Sequence, residues 1–200
     1  LGENRLRWGD DHQVSVDGGR VQWQPTDAGW QLASSHVDIS VDGDAWPSWH
    51  LQLDRQQERL HGYLDRLTFT DLALLAQWGE SFWPASARQL AGIAPRGHLT
   101  NIYFSSAANG DGWRWQGELE DVSTNAFEWT PQTRGLNGHF LLAADHGQLT
   151  LNQQAAADWI YDGAFREPWP MQRLSTGLRW QKQPDGWLLW SDELEVSTAD

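Results

Sequence analysis

The sequence contains no cysteine, one methionine and one lysine, Lys182. Without cysteine, disulfide scaffolds, thiol catalysis and cysteine-ligated zinc are excluded, and oxidising and reducing compartments both stay open. Long apolar runs are missing as well. The longest, residues 72–76 and 140–144, have five residues each, far short of the ~20 that a membrane helix needs. Positive charge is scarce: 14 basic against 27 acidic side chains leave a net −13. That balance argues against nucleic acid and against docking on anionic lipid head groups, since both need basic clusters. The chain opens at Leu1 with no initiator Met, no basic n-region and no apolar h-region. It reads as a mature chain or an excised piece without a targeting signal of its own. At 22.7 kDa it is expected to form a single β-rich segment over residues 1–200 with a sizeable core.

Tryptophan is abundant instead, with 15 residues among 200. Ordinary cores draw on Leu, Ile, Val and Phe. Tryptophan adds a large apolar body with a polar N–H, which suits surfaces that meet something half apolar.

Alternation dominates the first sixty residues. Val14 and Val16 alternate with polar neighbours, then Gly18-Gly19, then Val21 and Trp23 alternate. A two-residue loop at Gly18-Gly19 is expected to set Val16 opposite Val21 and Val14 opposite Trp23. Trp30 and Leu32 occupy even positions but Val37, Ile39 and Val41 odd ones, so a β-bulge is expected between Ser34 and His36. Further strands are expected over 50–53 and 60–69. Leu72, Leu75 and Ala76 have helical spacing, with Thr70 or Asp71 as N-cap and Gly79 past the end; Pro84 would open a second helix ending at Gly92. Residues 71–91 are thus expected to form a short helical insert. Strands resume with Ile102 and Phe104, then Trp113 and Trp115. Phe140, Leu142 and Ala144 face a return strand of Leu149 and Leu151, a turn at His146-Gly147 pairing Ala144 with Leu149. Residues 155–170 read as an irregular connecting loop. Leu178, Trp180, Trp187, Leu189, Leu194 and Val196 close the chain as strands.

An internal repeat runs through this pattern. Trp23, Gly29, Trp30 and Leu32 recur as Trp180, Gly186, Trp187 and Leu189, each displaced by 157 positions, as from Trp23 to Trp180. The change of phase recurs too, because Trp187 and Leu189 are odd while Leu194 and Val196 are even. Gly112-Trp113-Arg114-Trp115 resembles a looser middle copy. Both chain ends fall in or beside strand-like sequence, as if cut from a longer repetitive sheet.

Catalytic signatures are absent: no Gly-x-Ser-x-Gly elbow, phosphate loop, His-Glu-x-x-His or EF-hand loop. The seven histidines (12, 36, 50, 61, 98, 139, 146) form no pair at metal spacing on one element, so no metal and no cofactor is expected. The carboxylate clusters, such as Glu118/Glu120/Asp121 and Asp192/Glu193/Glu195, sit at turns or polar strand positions, where solvated charge that protects an outer face is the ordinary role. The tryptophans at apolar phase positions admit three readings. They pack across a sandwich, they line an uncovered face that holds an apolar ligand, or they bind sugars.

Several short motifs, in this order, resemble the repeating β region of the YhdP proteins of the AsmA-like superfamily, which also includes TamB. They are Leu67-Thr68-Phe69-Thr70-Asp71-Leu72, Pro95-x-Gly97-x-Leu99, and Trp115-x-Gly117-x-Leu119 with Asp121-Val122-Ser123. Gly135-Leu136-x-Gly138-x-Phe140, Gly147-x-Leu149-x-Leu151 and Gly177-Leu178-Arg179-Trp180 follow. The match covers about residues 60–198, with the earlier part similar through the internal repeat. The resemblance implies a bridge-like lipid transporter of the Gram-negative envelope, anchored in the inner membrane by a helix outside this chain. Such a protein crosses the periplasm as a twisted, groove-shaped, taco-like antiparallel sheet that carries phospholipid towards the outer membrane. It implies no catalytic residue, hence a non-enzymatic segment. The implied partners are phospholipid acyl chains, adjoining segments of the same protein and membrane proteins at either end. The candidate groove residues are Val14, Val16, Val21, Trp23, Trp30, Leu32, Trp113, Trp115, Phe140, Leu142, Leu149, Leu151, Leu178, Trp180, Trp187, Leu189, Leu194 and Val196.

The physics of the idea is simple. An exposed acyl methylene costs ~0.8 kcal/mol in water, so passage needs a continuous apolar path. Period-two alternation provides one apolar and one wet face along any length of sheet. With strands ~4.8 Å apart, about twelve of them supply roughly 55–60 Å of groove. A carbohydrate-binding or purely structural interaction module is the alternative reading of the same composition.

Overall fold

Alternating sequence makes extended chain, and extended chain must pair its backbone groups laterally. The computed structural model describes residues 4–8, 12–45, 48–70, 92–107, 112–127, 132–153, 157–160 and 169–198. The helical insert expected over 71–91 and most of the loop expected at Asn109-Gly110-Asp111-Gly112 lie outside these residues. The described strands are β1 (Asn4–Trp8), β2 (His12–Thr26), β3 (Gly29–Val41), β4 (Asp44–Ala45), β5 (Leu51–Gln56) and β6 (Arg59–Thr68). They continue as β7 (Arg96–Ala107), β8 (Arg114–Thr124), β9 (Gln132–Ala143), β10 (His146–Gln153), β11 (Ala157–Ile160), β12 (Trp169–Gln183) and β13 (Gly186–Thr198). They form one mainly antiparallel sheet in the order β1-β2-β3-β5-β6-β7-β8-β9-β10-β12-β11, with β4 on β3 and β13 on β12. Among the described residues no pairing closes it into a barrel.

The chain forms two units, Leu1–Arg66 with Asn101–Trp113, and Leu67–Thr100 with Arg114–Asp200. In the first unit β2 does not turn at Gly18-Gly19. It runs straight through, and the turn is Asp27–Ala28, so Val16 lies opposite Ile39, Val14 opposite Val41, Val21 opposite Ser34 and Trp23 opposite Leu32. The glycines serve a different purpose. Gly19 has φ +113° and faces a bulge on β3, where a Cβ would stand 2.5 Å from Val37 Cα and 2.6 Å from His36 O. Only glycine fits that approach at that dihedral angle. The bulge itself is where the parity of Val37, Ile39 and Val41 places it: Arg20 pairs with Ser35 but Gly18 with Asp38, and His36 has φ 49°.

The repeat is reproduced in three dimensions. β2 and β12 have 15 residues, β3 and β13 have 13, and each bound moves by the same offset, His12 to Trp169 and Gly29 to Gly186. Trp23 pairs with Leu32 as Trp180 pairs with Leu189. A bulge recurs within one residue of its counterpart, because Thr176 pairs with Leu194 but Leu178 with Ser191.

Two further expectations are corrected in the second unit. Leu149 lies opposite Phe140 and Leu151 opposite Gly138, so Ala144 does not pair with Leu149. The turn is Ala144–Asp145, where Asp145 Oδ1 accepts a 2.7 Å hydrogen bond from His146 Nδ1 and the strand already begins at His146. The register moves by an even step, and the side chains keep their face. Residues 155–170 are not a loop throughout. β11 pairs with β9 and β12 beyond the end of β10, and Trp169 already belongs to β12.

Bulges also mark β8 and β9. Asp121 (φ 50°) and Gly135 (φ 69°) sit where the pairing slips between Leu119 and Val122 and beyond. Asn137 stitches this irregularity. Its Oδ1 accepts from Asp121 N at 3.0 Å, and its Nδ2 donates to Gly135 O at 3.1 Å and to Gln153 Oε1 at 3.0 Å. The buried Gln153 thereby has its acceptor satisfied, as a buried polar atom requires. Beside it Leu151 and Leu174 are buried, with Leu119, Leu136, Leu149 and Val196 packed against them.

Candidate functional site

Residues directly opposite in a ladder share a face. In the second unit this places Leu189, Trp180, Gly147, Leu142 and Trp115 in one row across β13, β12, β10, β9 and β8. The next row is Ser191, Leu178, Leu149, Phe140 and Gly117, and the third is Leu194, Thr176, Leu151, Gly138 and Leu119. A fourth adds Val196, Leu174 and Gln153. Ten of the eighteen candidates named from sequence therefore fall on one apolar face: Trp115, Phe140, Leu142, Leu149, Leu151, Leu178, Trp180, Leu189, Leu194 and Val196. Trp187, two positions from Leu189 on β13, adds an eleventh.

Glycines shape this face. A Cβ on Gly147 would stand 2.3 Å from Trp180 Cζ2, and one on Gly117 would stand 3.0 Å from the Phe140 ring. Each aromatic ring lies across the glycine of the neighbouring strand. The Gly-x-Leu motifs thus leave space beside a leucine for a ring from next door. The first unit repeats the device, since a Cβ on Gly62 would meet Phe104 Cζ at 2.0 Å.

Burial varies steeply along the face. Leu174 is 0% and Leu151 4% exposed, while Trp187, Leu189 and Leu194 are 58%, 62% and 65% exposed. Apolar side chains so far out of their own core make a strip that other apolar matter can cover. Trp115 and Leu142 are just over one-third exposed, and Phe140, Leu149, Leu178, Trp180 and Val196 are half-buried.

In the first unit, Trp23, Leu32, Leu53 and Gly62 make one row, and Pro25, Trp30, Arg55 and Leu60 the next. Val21 and Trp23 are exposed, and Trp30 and Leu32 half-buried. Val16 is half-buried opposite Ile39 and Val14 lies opposite Val41. Trp113, on the surface, directly precedes β8. Sequence reasoning passed over Leu53, Leu119, Leu136 and Leu174 as site residues. Leu119 and Leu174 had a visible signal, the same phase as Trp115 and Leu178 on their own strands.

The reverse face of the first unit is polar, whereas that of the second mixes Gln116, Gln148 and Arg179 with Leu141, Leu188 and Trp190. In the first unit Gln24, Gln31, Asp54 and His61 form a row, and Gln22, Ala33, Gln52 and Tyr63 its neighbour. Burial first, then Tyr103 and Asp65, pushes the Tyr63 phenol above its ordinary value, so it stays protonated and donates to Asn101 Oδ1 at 3.3 Å. Further along, His50 Nδ1 lies 3.0 Å from Asp65 Oδ2. In the second unit Arg179 pairs with Asp192 at 2.8 Å. Among the described residues no group of three His, Asp or Glu side chains is arranged to hold a metal ion.

Comparison with known proteins gives this face its context. No solved structure matches the chain. It is similar to the intermembrane phospholipid transporter YhdP of Escherichia coli (strain K12), 23% identical over an alignment 200 residues long that takes in 92% of this chain and 16% of that protein. The chain therefore spans about one-sixth of that relative's length. The family model of the YhdP protein matches residues 1–200. That match takes in every strand described above, and the chain belongs to the YhdP family.

Proposed function

We propose that this chain is a segment of a periplasmic bridge whose apolar β-face carries phospholipid acyl chains between the inner and outer membranes. The observation that carries the reading is the run of apolar rows across β8, β9, β10, β12 and β13, still exposed at Trp187, Leu189 and Leu194. The relative's name, an intermembrane phospholipid transporter, supplies the ligand class. Ten methylenes laid against such a strip regain about 8 kcal/mol of the cost of standing in water. Dispersion contacts with Trp and Leu lack strict geometry, so a tail can slide along the rows without breaking directional bonds. The net charge of −13 keeps the ribbon in solution. The anchor in the inner membrane and the neighbours along the bridge belong to the full-length protein, and adjoining segments would continue the apolar face.

Photo-crosslinking residues placed at Trp187, Leu189 and Leu194 should capture phospholipid in cells, whereas residues at Gln116 and Gln148 on the reverse face should not. Leu189→Asp and Leu194→Asp should lower co-purified phospholipid several-fold with unchanged far-UV circular dichroism. Equal capture from both faces, or no lipid at all, would defeat the proposal.

A further inference from the structure

The polar face of the first unit is not an ordinary solvated outer face. Its two rows, Gln24–Gln31–Asp54–His61 and Gln22–Ala33–Gln52–Tyr63, with Leu32, Leu53 and Gly62 between them and Tyr103 of β7, line an open cleft of about 490 Å³. Small-molecule sites commonly have roughly 300–1,000 Å³. An outer strand face usually protects itself with lysine, glutamate and arginine. Here, in a chain that is 20% charged, the lining holds one carboxylate and neither Lys nor Arg. Four glutamine amides take the place of charge. Each offers two donors and an acceptor, and cross-strand spacing sets successive groups ~4.8 Å apart.

One more feature aims this cleft at a ligand. Tyr63 and Tyr103 stand 4.9 Å apart with their rings inclined by 47°, and Tyr103 is half exposed at the cleft's end. The pair presents an apolar ring surface beside the amides.

We propose that this cleft binds a neutral, polyhydroxylated ligand, a short oligosaccharide. Vicinal hydroxyls exchange hydrogen bonds with Gln24, Gln31 and Gln52, while the C–H face of a sugar ring lies on Tyr103. An anionic ligand meets no compensating Lys or Arg, and nucleic acid is repelled by the net charge. The glutamine side chains lie on the face of the sheet opposite the Trp23 side chain, so the site is distinct from the apolar rows.

The test is a ¹⁵N-resolved titration of the 200-residue chain with maltotriose, cellotriose and chitotriose. At least one sugar should bind with a millimolar dissociation constant, its backbone shifts confined to β2, β3, β5, β6 and β7. Gln52→Ala and Gln31→Ala, both at exposed positions, should weaken it at least about tenfold, the loss of more than 1.4 kcal/mol. Trp187→Ser, in the apolar rows, should leave it unchanged. The proposal is overturned if none of the three sugars shifts the cleft resonances. It is equally overturned if the shifts fall on the exposed tryptophans, or if neither glutamine variant weakens binding. Lipid capture at Leu189 is measured on different residues, so either reading can fail alone.

Discussion

Gly147→Ala tests whether the glycines of the apolar face exist to seat rings. The added methyl carbon would stand 2.3 Å from Trp180 Cζ2 and 2.4 Å from Cε2, against an optimal carbon–carbon separation of ~3.5–4.0 Å. The indole must therefore retreat by more than an ångström, and overpacking of this kind costs about 1–3 kcal/mol. Alanine is otherwise the better strand residue, by about 0.5–1 kcal/mol, because glycine loses more backbone freedom on folding. In a Trp180→Ala background the obstruction is gone, so the same substitution should stabilise by that smaller amount. The backbone gain is common to both backgrounds, so the coupling is the overpacking term, about 1–3 kcal/mol. Urea unfolding followed by far-UV circular dichroism measures it; with a slope near 2 kcal/mol/M, a 2 kcal/mol loss moves the midpoint by about 1 M. Should Trp180→Ala not fold, Trp180→Val keeps a strand-forming side chain that cannot reach Gly147. Gly147→Ala changing stability by the same amount and sign in both backgrounds would refute the ring-seating argument.

The other expectations concern different parts of the sheet. Leu174→Ala, at a fully buried position against Leu151, should cost about 2–5 kcal/mol, whereas Leu194→Ala on the exposed strip should change stability by less than about 0.5 kcal/mol; chemical denaturation compares the two. Asn137→Ala removes the side-chain bonds to Asp121 N, Gly135 O and Gln153 Oε1 and should cost about 1–3 kcal/mol, with faster amide exchange at Asp121. The hydrogen bond from His146 holds the Asp145 carboxyl below its ordinary value of 3.8. Its contribution is present above that value and is lost as pH falls through the lowered one. Asp145→Asn should therefore flatten the acid limb of the melting temperature against pH, by a small amount because the group is exposed.

Strand content and the greasy face were legible because period-two alternation survives any even slip of register, as at Leu149, which sits opposite Phe140 instead of Ala144 and still faces the same way. The bulge at His36 was legible from parity alone. The Gly18-Gly19 turn was misread because adjacent glycines signal both a tight hairpin and a close backbone approach, and here the approach to Val37 won. The correction lay in the repeat. Pro184-Asp185-Gly186 is a clear turn signal, and moved back by its 157 positions it falls on Asp27-Ala28-Gly29, where β2 does turn. β11 was invisible because four residues, preceded by alanines and followed by Gly163 and the prolines at 168 and 170, carry too little pattern. The amide cleft was invisible because it needs Gln22, Gln31 and Gln52 from three strands, and no local spacing links them.

The twin hairpins have a bearing on reach. A unit that keeps its strand lengths, its turn and its kink through duplication needs no redesign when another copy is added. Each extra pair lengthens the ribbon by roughly 10 Å, twice the lateral pitch of a sheet. Distance then becomes a matter of counting, like rungs, and a lineage could match the span between two surfaces by gaining or losing copies while every side chain kept its place.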